Sequence, residues 1–276
     1  MKNYNYRWIK FKDIRIGVAS EFVLQSVSNI DAGTAIRRKV NYIGTDGCEY
    51  KDILYSERMF EISGFIHGYD QASMLRGKRR LSAACSLKEK FRMQYYNREK
   101  IYSAECYFDK LPEFSDRKQW ILPFRLFVTI PGFYWESATE NEIDIFGYKD
   151  EITDTFTLPC VFSSLTTSKI VSNLGDVPVF PEFVIKCDTS IADSNIVIVN
   201  NDSGEMITVN YSPTAGEVVT IDAKSQIVTS NFNGNITDKL TLDTVFFSLP
   251  VGTVNINAES AGSTVTLKFR EQFIGV

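Results

Sequence analysis

The sequence predicts an all-β fold class, mainly β with one short helix, and two β-rich domains. Several segments alternate apolar and polar residues with a period of two, which is typical of strands with one buried face. In the second half, glycine- and asparagine-rich turns separate short strands at even spacing. Only one stretch repeats its apolar residues at helical spacing. The chain has 276 residues, of which 44% are hydrophobic and 23% charged, so it can bury two substantial cores.

Period-two alternation in the first half predicts strands around three apolar runs. Arg125 and Thr129 are expected on the face opposite the last run, and Pro123 indicates an edge position or a strand start. A further strand is predicted around Ile101–Phe108. The predicted buried faces are Ile14, Ile16 and Val18; Phe60, Ile62, Gly64 and Ile66; and Leu122, Phe124, Leu126, Val128 and Ile130.

The one helix is predicted from about Asp70 to Ala84. Asp70 is a suitable N-cap, and Met74, Leu81 and Cys85 recur on one side at helical spacing. Gly77 argues against this helix, because a glycine within a helix costs about 1 kcal/mol relative to alanine. Leu75 and Ala84 are expected beside the apolar stripe. The predicted outer face carries Arg76, Lys78, Arg79 and Arg80.

The second half is predicted to contain only strands and turns. Short strands with such regular punctuation are typical of a β-sandwich or jelly roll. The predicted strands are Phe183–Ile185, Ile196–Val199, Met206–Val209, Glu217–Ile221, Leu240–Leu242, Val254–Asn257 and Thr264–Phe269. The predicted turns are centred on Gly204, Gly216, Gly234 and Gly262.

Charge and composition place a domain boundary near the middle of the chain. The residues up to Pro131 include 23 Lys and Arg against 15 Asp and Glu, whereas the rest include 7 against 19. The texture changes at the same point, from Arg, Lys, Tyr and Phe to Thr, Ser, Asn and Asp. Pro131 and Gly132 also interrupt a long strand there. The sequence therefore predicts domains at 1–132 and 133–276.

The sequence offers little for catalysis, metals or cofactors. A catalytic triad or a histidine metal cluster would have to use the single histidine, His67, for which an ordinary turn position is the simpler interpretation. Five scattered cysteines fit buried thiols better than zinc ligands or disulfides: Cys48, Cys85, Cys106, Cys160 and Cys187. We expect no enzyme, and no catalytic, cofactor-binding or metal-binding residues. No signal peptide or membrane-spanning run is evident, so we expect synthesis in the cytoplasm.

Two charge patterns remain open to a functional interpretation. The basic helix face is followed by Phe91, Tyr95 and Tyr96, a pattern compatible with single-stranded nucleic acid. A solvent face, or a contact with an acidic protein, explains the same cluster, and we favour these over nucleic acid. The pairs Asp150–Glu151 and Glu140 with Glu142 could resemble glycosidase carboxylates, but solvated loop charge is the preferred interpretation. The turn at Asp202 and Gly204 lacks the acidic spacing of a calcium loop.

The order of motifs in the second half is more informative than any single motif. The segments that carry the pattern are Asn173–Pro181 with its Gly-Asp-x-Pro core, Val218–Asp222, Phe246–Gly252, and the Arg-x-x-Phe-x-Gly ending at Phe269–Gly275. In this order they resemble the siphophage distal tail protein family, abbreviated Dit, and the resemblance extends over nearly the whole chain. An inserted turn around Pro250–Asn255 departs from the family pattern without disturbing the rest.

The resemblance implies a fold and an assembly role. An N-terminal belt domain would close six copies into a ring, and a C-terminal galectin-like β-sandwich would project outward. The partners would be the tail tube protein and a tail-associated hub or fibre protein, in the virion at the phage tail tip. No sequence-specific nucleic acid and no membrane partner is implied. The strand within Phe269–Val276 is expected to return to the first domain.

Two other functions stay open from the sequence. A carbohydrate-binding module would require exposed aromatic side chains on a concave sheet of the second domain. The aromatic residues of that domain instead look like core residues, namely Phe232, Phe246, Phe247, Phe269 and Phe273. A cell-wall hydrolase is disfavoured, because paired catalytic motifs and a histidine cluster are missing.

Overall fold

The computed structural model divides the chain into two compact units. It describes residues 7–31, 33–41, 43, 46, 48–116, 119–150, 163–166, 168–188, 195–260 and 263–276. Unit 1 comprises Met1–Ala138 and Phe273–Val276, and unit 2 comprises Thr139–Gln272. Unit 2 is thus inserted in the sequence between two parts of unit 1. The compact units divide after Ala138, a few residues beyond the boundary that the charge pattern predicts.

Unit 1 is built on a ten-stranded sheet, in the order β23-β11-β8-β7-β1-β2-β3-β6-β10-β9. A separate two-stranded sheet is formed by β4 and β5. The strands are β1 (Trp8–Phe11), β2 (Ile14–Gly17), β3 (Phe22–Ser28), β4 (Ala35–Val40), β5 (Glu49–Tyr55), β6 (Arg58–His67), β7 (Phe91–Tyr96), β8 (Ile101–Phe108), β9 (Glu113–Phe114), β10 (Ile121–Ile130), β11 (Trp135–Ser137) and β23 (Gln272–Phe273).

The large sheet closes on itself into a barrel. β6 and β10 pair over their whole lengths, from Arg58 opposite Ile130 to His67 opposite Ile121. β10 also pairs with β8 at Val128 and Thr129, which joins two strands that lie far apart in the sheet order. Closure removes the free edges from most of the strands in this sheet, and so protects the backbone groups that an edge would expose.

The barrel interior confirms most of the predicted buried faces. Phe60, Ile62 and Ile66 are buried, as are the residues from Phe124 to Ile130 that alternate inward. Two assignments are wrong. Val18 lies beyond the end of β2 and is exposed. Thr129 is buried rather than exposed, because its hydroxyl donates a 2.7 Å hydrogen bond to Asp109.

The predicted helix is confirmed as α1 (Gln71–Ala84), with Asp70 as its N-cap. The Asp70 carboxylate accepts a 2.6 Å hydrogen bond from the Ser73 backbone N–H, and the Ser73 hydroxyl in turn accepts one from the Asp70 backbone at 3.1 Å. Gly77 does not interrupt the helix. It lies on the buried face, where a Cβ atom would come within 2.9 Å of Ile66 Cγ2 and 2.6 Å of Glu21 Oε1. Leu75, in contrast, is exposed.

The described residues of unit 2 form two sheets. One has seven strands in the order β13-β12-β22-β15-β18-β19-β20, and the other has four in the order β14-β21-β16-β17. The strands are β12 (Asn141–Asp150), β13 (Ser163–Thr166), β14 (Ser168–Asn173), β15 (Glu182–Cys187), β16 (Ile196–Asn200), β17 (Met206–Val209), β18 (Val218–Asp222), β19 (Ile227–Ser230), β20 (Gly234–Asn235), β21 (Gly252–Glu259) and β22 (Ser263–Phe269).

Inward-facing residues of both sheets form one core, as expected for a β-sandwich. Phe183 and Phe247 meet edge-on there, with ring centroids 5.9 Å apart. The prediction of a strand at Leu240–Leu242 is wrong. That segment follows a 3-10 turn and makes only an isolated bridge from Leu240 to Val209. Phe232 is exposed in a turn rather than buried.

One buried carboxylate organises the polar part of unit 2. Glu217 accepts hydrogen bonds from the hydroxyls of Ser230 and Tyr211, and from the Thr214 backbone N–H at 2.9 Å. Thr214 Oγ1 and Asn233 Nδ2 add contacts at 3.0 and 3.4 Å. Burial alone would raise the pKa of Glu217, but these hydrogen bonds outweigh burial and lower the pKa to about 2.

Four of the cysteines lie in the described residues, and three of these are buried. Cys85, Cys106 and Cys187 are buried free thiols as predicted, whereas Cys48 is exposed and Cys160 lies outside the described residues. In the described part of the chain, no helix has the length and apolar content needed to cross a bilayer.

We predict that Gly77→Ala lowers the free energy of unfolding by about 1–3 kcal/mol, because the added methyl group meets Ile66 in a packed interior. This loss opposes the gain of ~1 kcal/mol in helix propensity. Chemical denaturation measures the change. Gly132→Ala is the matched control, since a Cβ there meets nothing within 4 Å. Equal stability of the two variants would contradict the tight packing of α1.

We also predict that Glu217 makes unit 2 sensitive to acid. The folded pKa of about 2 lies below the ordinary value of 4.5, so the stabilisation is present above pH 4.5 and is lost as the pH falls towards 2. Urea unfolding measured at neutral and at acid pH should show that the free energy of unfolding of the parent protein falls by on the order of 2 kcal/mol. The Glu217→Gln variant should be less stable than the parent at neutral pH, and its free energy of unfolding should fall less on acidification. Exposed Glu259→Gln should behave like the parent.

Candidate assembly surface

His67 is the last residue of β6 and is exposed. Its ring meets the Tyr69 ring edge-on, with centroids 5.8 Å apart. A shallow depression beside it is lined by Ser20, Glu21 and Arg76 among others. The structure brings no carboxylate–histidine or nucleophile–histidine hydrogen bond to this place within the residues described, so the geometry matches a strand-end histidine.

The basic side chains of α1 are partly engaged within unit 1. Arg80 pairs with Asp13 at 3.1 Å and with Glu21 at 3.4 Å. Lys78 lies over the Phe114 ring, with its Nζ 4.8 Å from the centroid. These contacts belong to a solvent face of one helix, and exposed pairs of this kind contribute little stability.

The aromatic residues that follow α1 do not form a platform for bases. Phe91 and Tyr95 are buried in the barrel core. Tyr96 is partly buried and stacks on Trp8, with centroids 5.7 Å apart. A single-strand binding surface needs exposed aromatic faces, so the stacking pattern suggested by the sequence is wrong for these three residues.

The carboxylate pairs in unit 2 are engaged in surface ion pairs. Glu142 pairs with Lys268 at 2.6 Å, and Glu140 with Arg270 at 3.3 Å. The side chains of Asp150 and Glu151 lie outside the described residues. Across the positions that the structure covers, no three His, Cys, Asp or Glu side chains are arranged to hold a metal ion.

The feature of unit 1 best suited to assembly is the hairpin β4–β5, hereafter the arm. Ile36 pairs with Leu54 and Lys39 with Tyr50, with a shift in register after Arg37. The arm pairs with no other strand of the sheets described. All of its described side chains are exposed apart from Val40, which is partly exposed, so both faces of the arm are open.

The arm combines apolar and basic side chains. Ile36 is 61% exposed and Leu54 66% exposed, although they are cross-strand partners. Arg37 and Lys39 lie over the Tyr50 ring, with Cζ and Nζ 5.7 and 5.9 Å from its centroid. A lone two-stranded hairpin is marginally stable in water, and exposed apolar pairs favour association. Such an element is suited to contact with another protein surface.

Unit 1 anchors the arm at its base. The Ser56 backbone N–H donates a 2.8 Å hydrogen bond to the Thr34 carbonyl, which closes the hairpin. Tyr55, the last residue of β5, stacks on Phe133 with centroids 4.3 Å apart and an interplanar angle of 12°. The arm therefore projects from a fixed base.

The sequence did not predict the arm. Its residues show no clear alternation, because exposure on both faces removes the contrast that period-two patterns depend on. The run Arg37–Lys39, with Tyr50 and Tyr55, was a compositional signal of an unusual surface, but composition alone could not place these residues on one hairpin.

The fold resembles solved phage proteins. The crystal structure of the Dit protein of phage SPP1, described as a hub adsorption apparatus of phages that infect Gram-positive hosts, superposes with a TM-score of 0.72 at 12% identity. The match covers 97% of this chain and 99% of that one. A chain of the activated phage P2 baseplate matches with a TM-score of 0.51 at 9% identity, over 98% and 99% of the two chains. Identities this low show the fold alone.

The sequence gives a family assignment for the second half. Residues 174–273 match the family model of the siphovirus-type tail component, C-terminal domain. No curated protein sequence matches the chain. The predicted resemblance to the distal tail proteins is confirmed by the family match together with the shared fold. Residues 174–273 therefore match the C-terminal domain of the siphovirus-type tail component family, and the chain as a whole shares the fold of the distal tail protein of SPP1.

Proposed function

We propose that this protein is a structural component of a phage tail tip. Six copies form a ring that links the tail tube to the host-adsorption apparatus. The observation that carries the proposal is the C-terminal domain match at residues 174–273, in a chain whose fold follows that of SPP1 Dit over 97% of its length. The protein is not an enzyme and needs no cofactor.

Each unit has a distinct part in this proposal. Unit 1 is the ring-forming belt, and its arm contacts the next copy. A ring uses two different surfaces of each copy, and an arm on one side of a barrel supplies one of them. Unit 2 is the outward galectin-like sandwich. The protein resides in the virion at the tail tip, with the tube protein and a hub or fibre protein as neighbours.

The geometry offers no support for the carbohydrate-binding alternative. Sugar-binding sheets stack exposed aromatic rings on the sugar, and Phe183, Phe247 and Phe269 of unit 2 are buried instead. The exposed aromatic residues among the described side chains of unit 2 are Phe180 and Phe232, which both lie outside strands. A glycan array that shows binding would reinstate the alternative.

We predict that purified protein assembles into a ring of six times 31.4 kDa, about 188 kDa. Native mass spectrometry gives the mass, and negative-stain images show whether the particle has a central hole. If the protein alone is monomeric, the same measurement is repeated with the tail tube protein present. A monomer under both conditions contradicts the ring.

Replacing both apolar partners in the arm should separate assembly from folding. The double variant Ile36→Ser, Leu54→Ser should keep its unfolding free energy within about 0.5 kcal/mol of the parent, because both side chains are mainly exposed. The double variant should nevertheless fail to assemble into the ring. The matched control is Ile170→Ser, which changes an isoleucine that is 69% exposed in unit 2 and should leave the ring intact. A ring that survives the double variant removes the arm from the interface.

A further inference from the structure

Arg58 begins β6 and is buried, which is costly for a guanidinium group unless its donors are satisfied. Its Nη1 donates a 2.9 Å hydrogen bond to the Ile30 carbonyl, and its Nη2 donates a 2.6 Å hydrogen bond to the Ile274 carbonyl. Its Nε is buried without a hydrogen-bond partner among the described residues. Burial lowers the pKa of Arg58, and the nearby Asp31 carboxylate partly offsets that effect. The Asp31 carboxylate also accepts a 2.9 Å hydrogen bond from the Val276 backbone N–H.

The same guanidinium lies over an aromatic ring in a strained segment. Arg58 Cζ is 4.4 Å from the centroid of Phe133, the ring on which Tyr55 stacks. Phe133 has φ of 64°, a left-handed conformation that is unfavourable for a bulky residue. A Cβ atom on Gly33 would lie 2.4 Å from Phe133 Cε2, so only glycine fits beside the ring. The surrounding contacts therefore hold Phe133 in its conformation.

We call Tyr55, Arg58, Phe133 and the carbonyls of Ile30 and Ile274 the Arg58 clamp. The chain passes from unit 1 to unit 2 after Ala138 and returns before Phe273. Phe133 lies on the outgoing segment, and Ile274 on the returning one. Arg58 contacts both, and Tyr55 joins them to the base of the arm.

We propose that the Arg58 clamp couples the arm to both segments that connect the two units. Displacement of the arm, such as that caused by a second copy of this chain seated on it, moves Tyr55. Phe133 then loses the stacked ring that helps to hold its strained backbone, and Arg58 is the shared contact through which the returning segment responds. Close packing makes such elements move together rather than deform independently. The coupling is a property of unit 1 and does not depend on a phage role.

Hydrogen–deuterium exchange of the full chain, read by mass spectrometry, tests the coupling. Tyr55→Leu removes the stacked ring at a half-exposed position. The control is Tyr50→Leu, which changes the same residue type in the same strand at similar exposure, 45% against 50%, without touching the clamp. We expect exchange about two- to tenfold faster in peptides covering 131–138 and 272–276 for Tyr55→Leu, and unchanged exchange there for Tyr50→Leu.

A second variant tests the arginine itself. Arg58→Lys keeps the positive charge but loses the planar group that lies over Phe133 and donates to two carbonyls, so it should accelerate exchange in the same two segments. Peptides from β15 and β22 of unit 2 report general destabilisation and should not change. The proposal is overturned if Tyr55→Leu affects only the arm, if Tyr50→Leu has the same effect, or if either clamp variant accelerates all peptides equally. Because exchange is measured at constant oligomeric state, failure here leaves the ring proposal untouched.

Discussion

The full-length pairing of β6 with β10 is the constraint on which unit 1 depends. Ten residues of each strand are in register, which sets which side chains point into the barrel. The pairing also brings the end of β10 against β8, so the sheet closes. A slip of β6 by one residue would turn Ile62 out of the barrel interior and would displace Arg58 from Ile30. The barrel core, the closure of the sheet and the position of Arg58 therefore all depend on the same register between β6 and β10.

Strong local periodicity was enough to predict much of this fold. The inward faces of β6 and β10, the capped helix α1 and most strands of the second half followed from spacing and turn residues. Residue spacing did not predict the structure correctly where contacts between remote residues determine burial or strand pairing. Thr129 is buried because Asp109 satisfies its hydroxyl, and α1 carries a glycine at position 77 because Ile66 and Glu21 leave no room for a side chain. Leu240–Leu242 has the composition of a strand but only one bridge to Val209.

The candidate surfaces were harder to predict than the fold. The family resemblance pointed to a ring, but it identified no interface residue. The arm is exposed on both faces, so no apolar periodicity marks it. The Arg58 clamp joins residues that are remote in sequence, since Ile30 is 28 positions away and Ile274 is 216 positions away. An isolated arginine at the start of a strand carries no local sign of burial, so only the folded chain reveals this group.

The insertion of unit 2 within unit 1 has a consequence for biosynthesis. Translation completes unit 2 before the ribosome has added Phe273, whose ring packs edge-on against Tyr102 in the unit 1 core at 5.2 Å. During that interval the nascent barrel lacks both this ring and the carbonyl of Ile274, so the Arg58 guanidinium is left without one of its acceptors. Unit 1 therefore stays immature until residues from the far side of unit 2 in the sequence are available to its core. A recombinant fragment ending at Ala138 would reproduce this immature state.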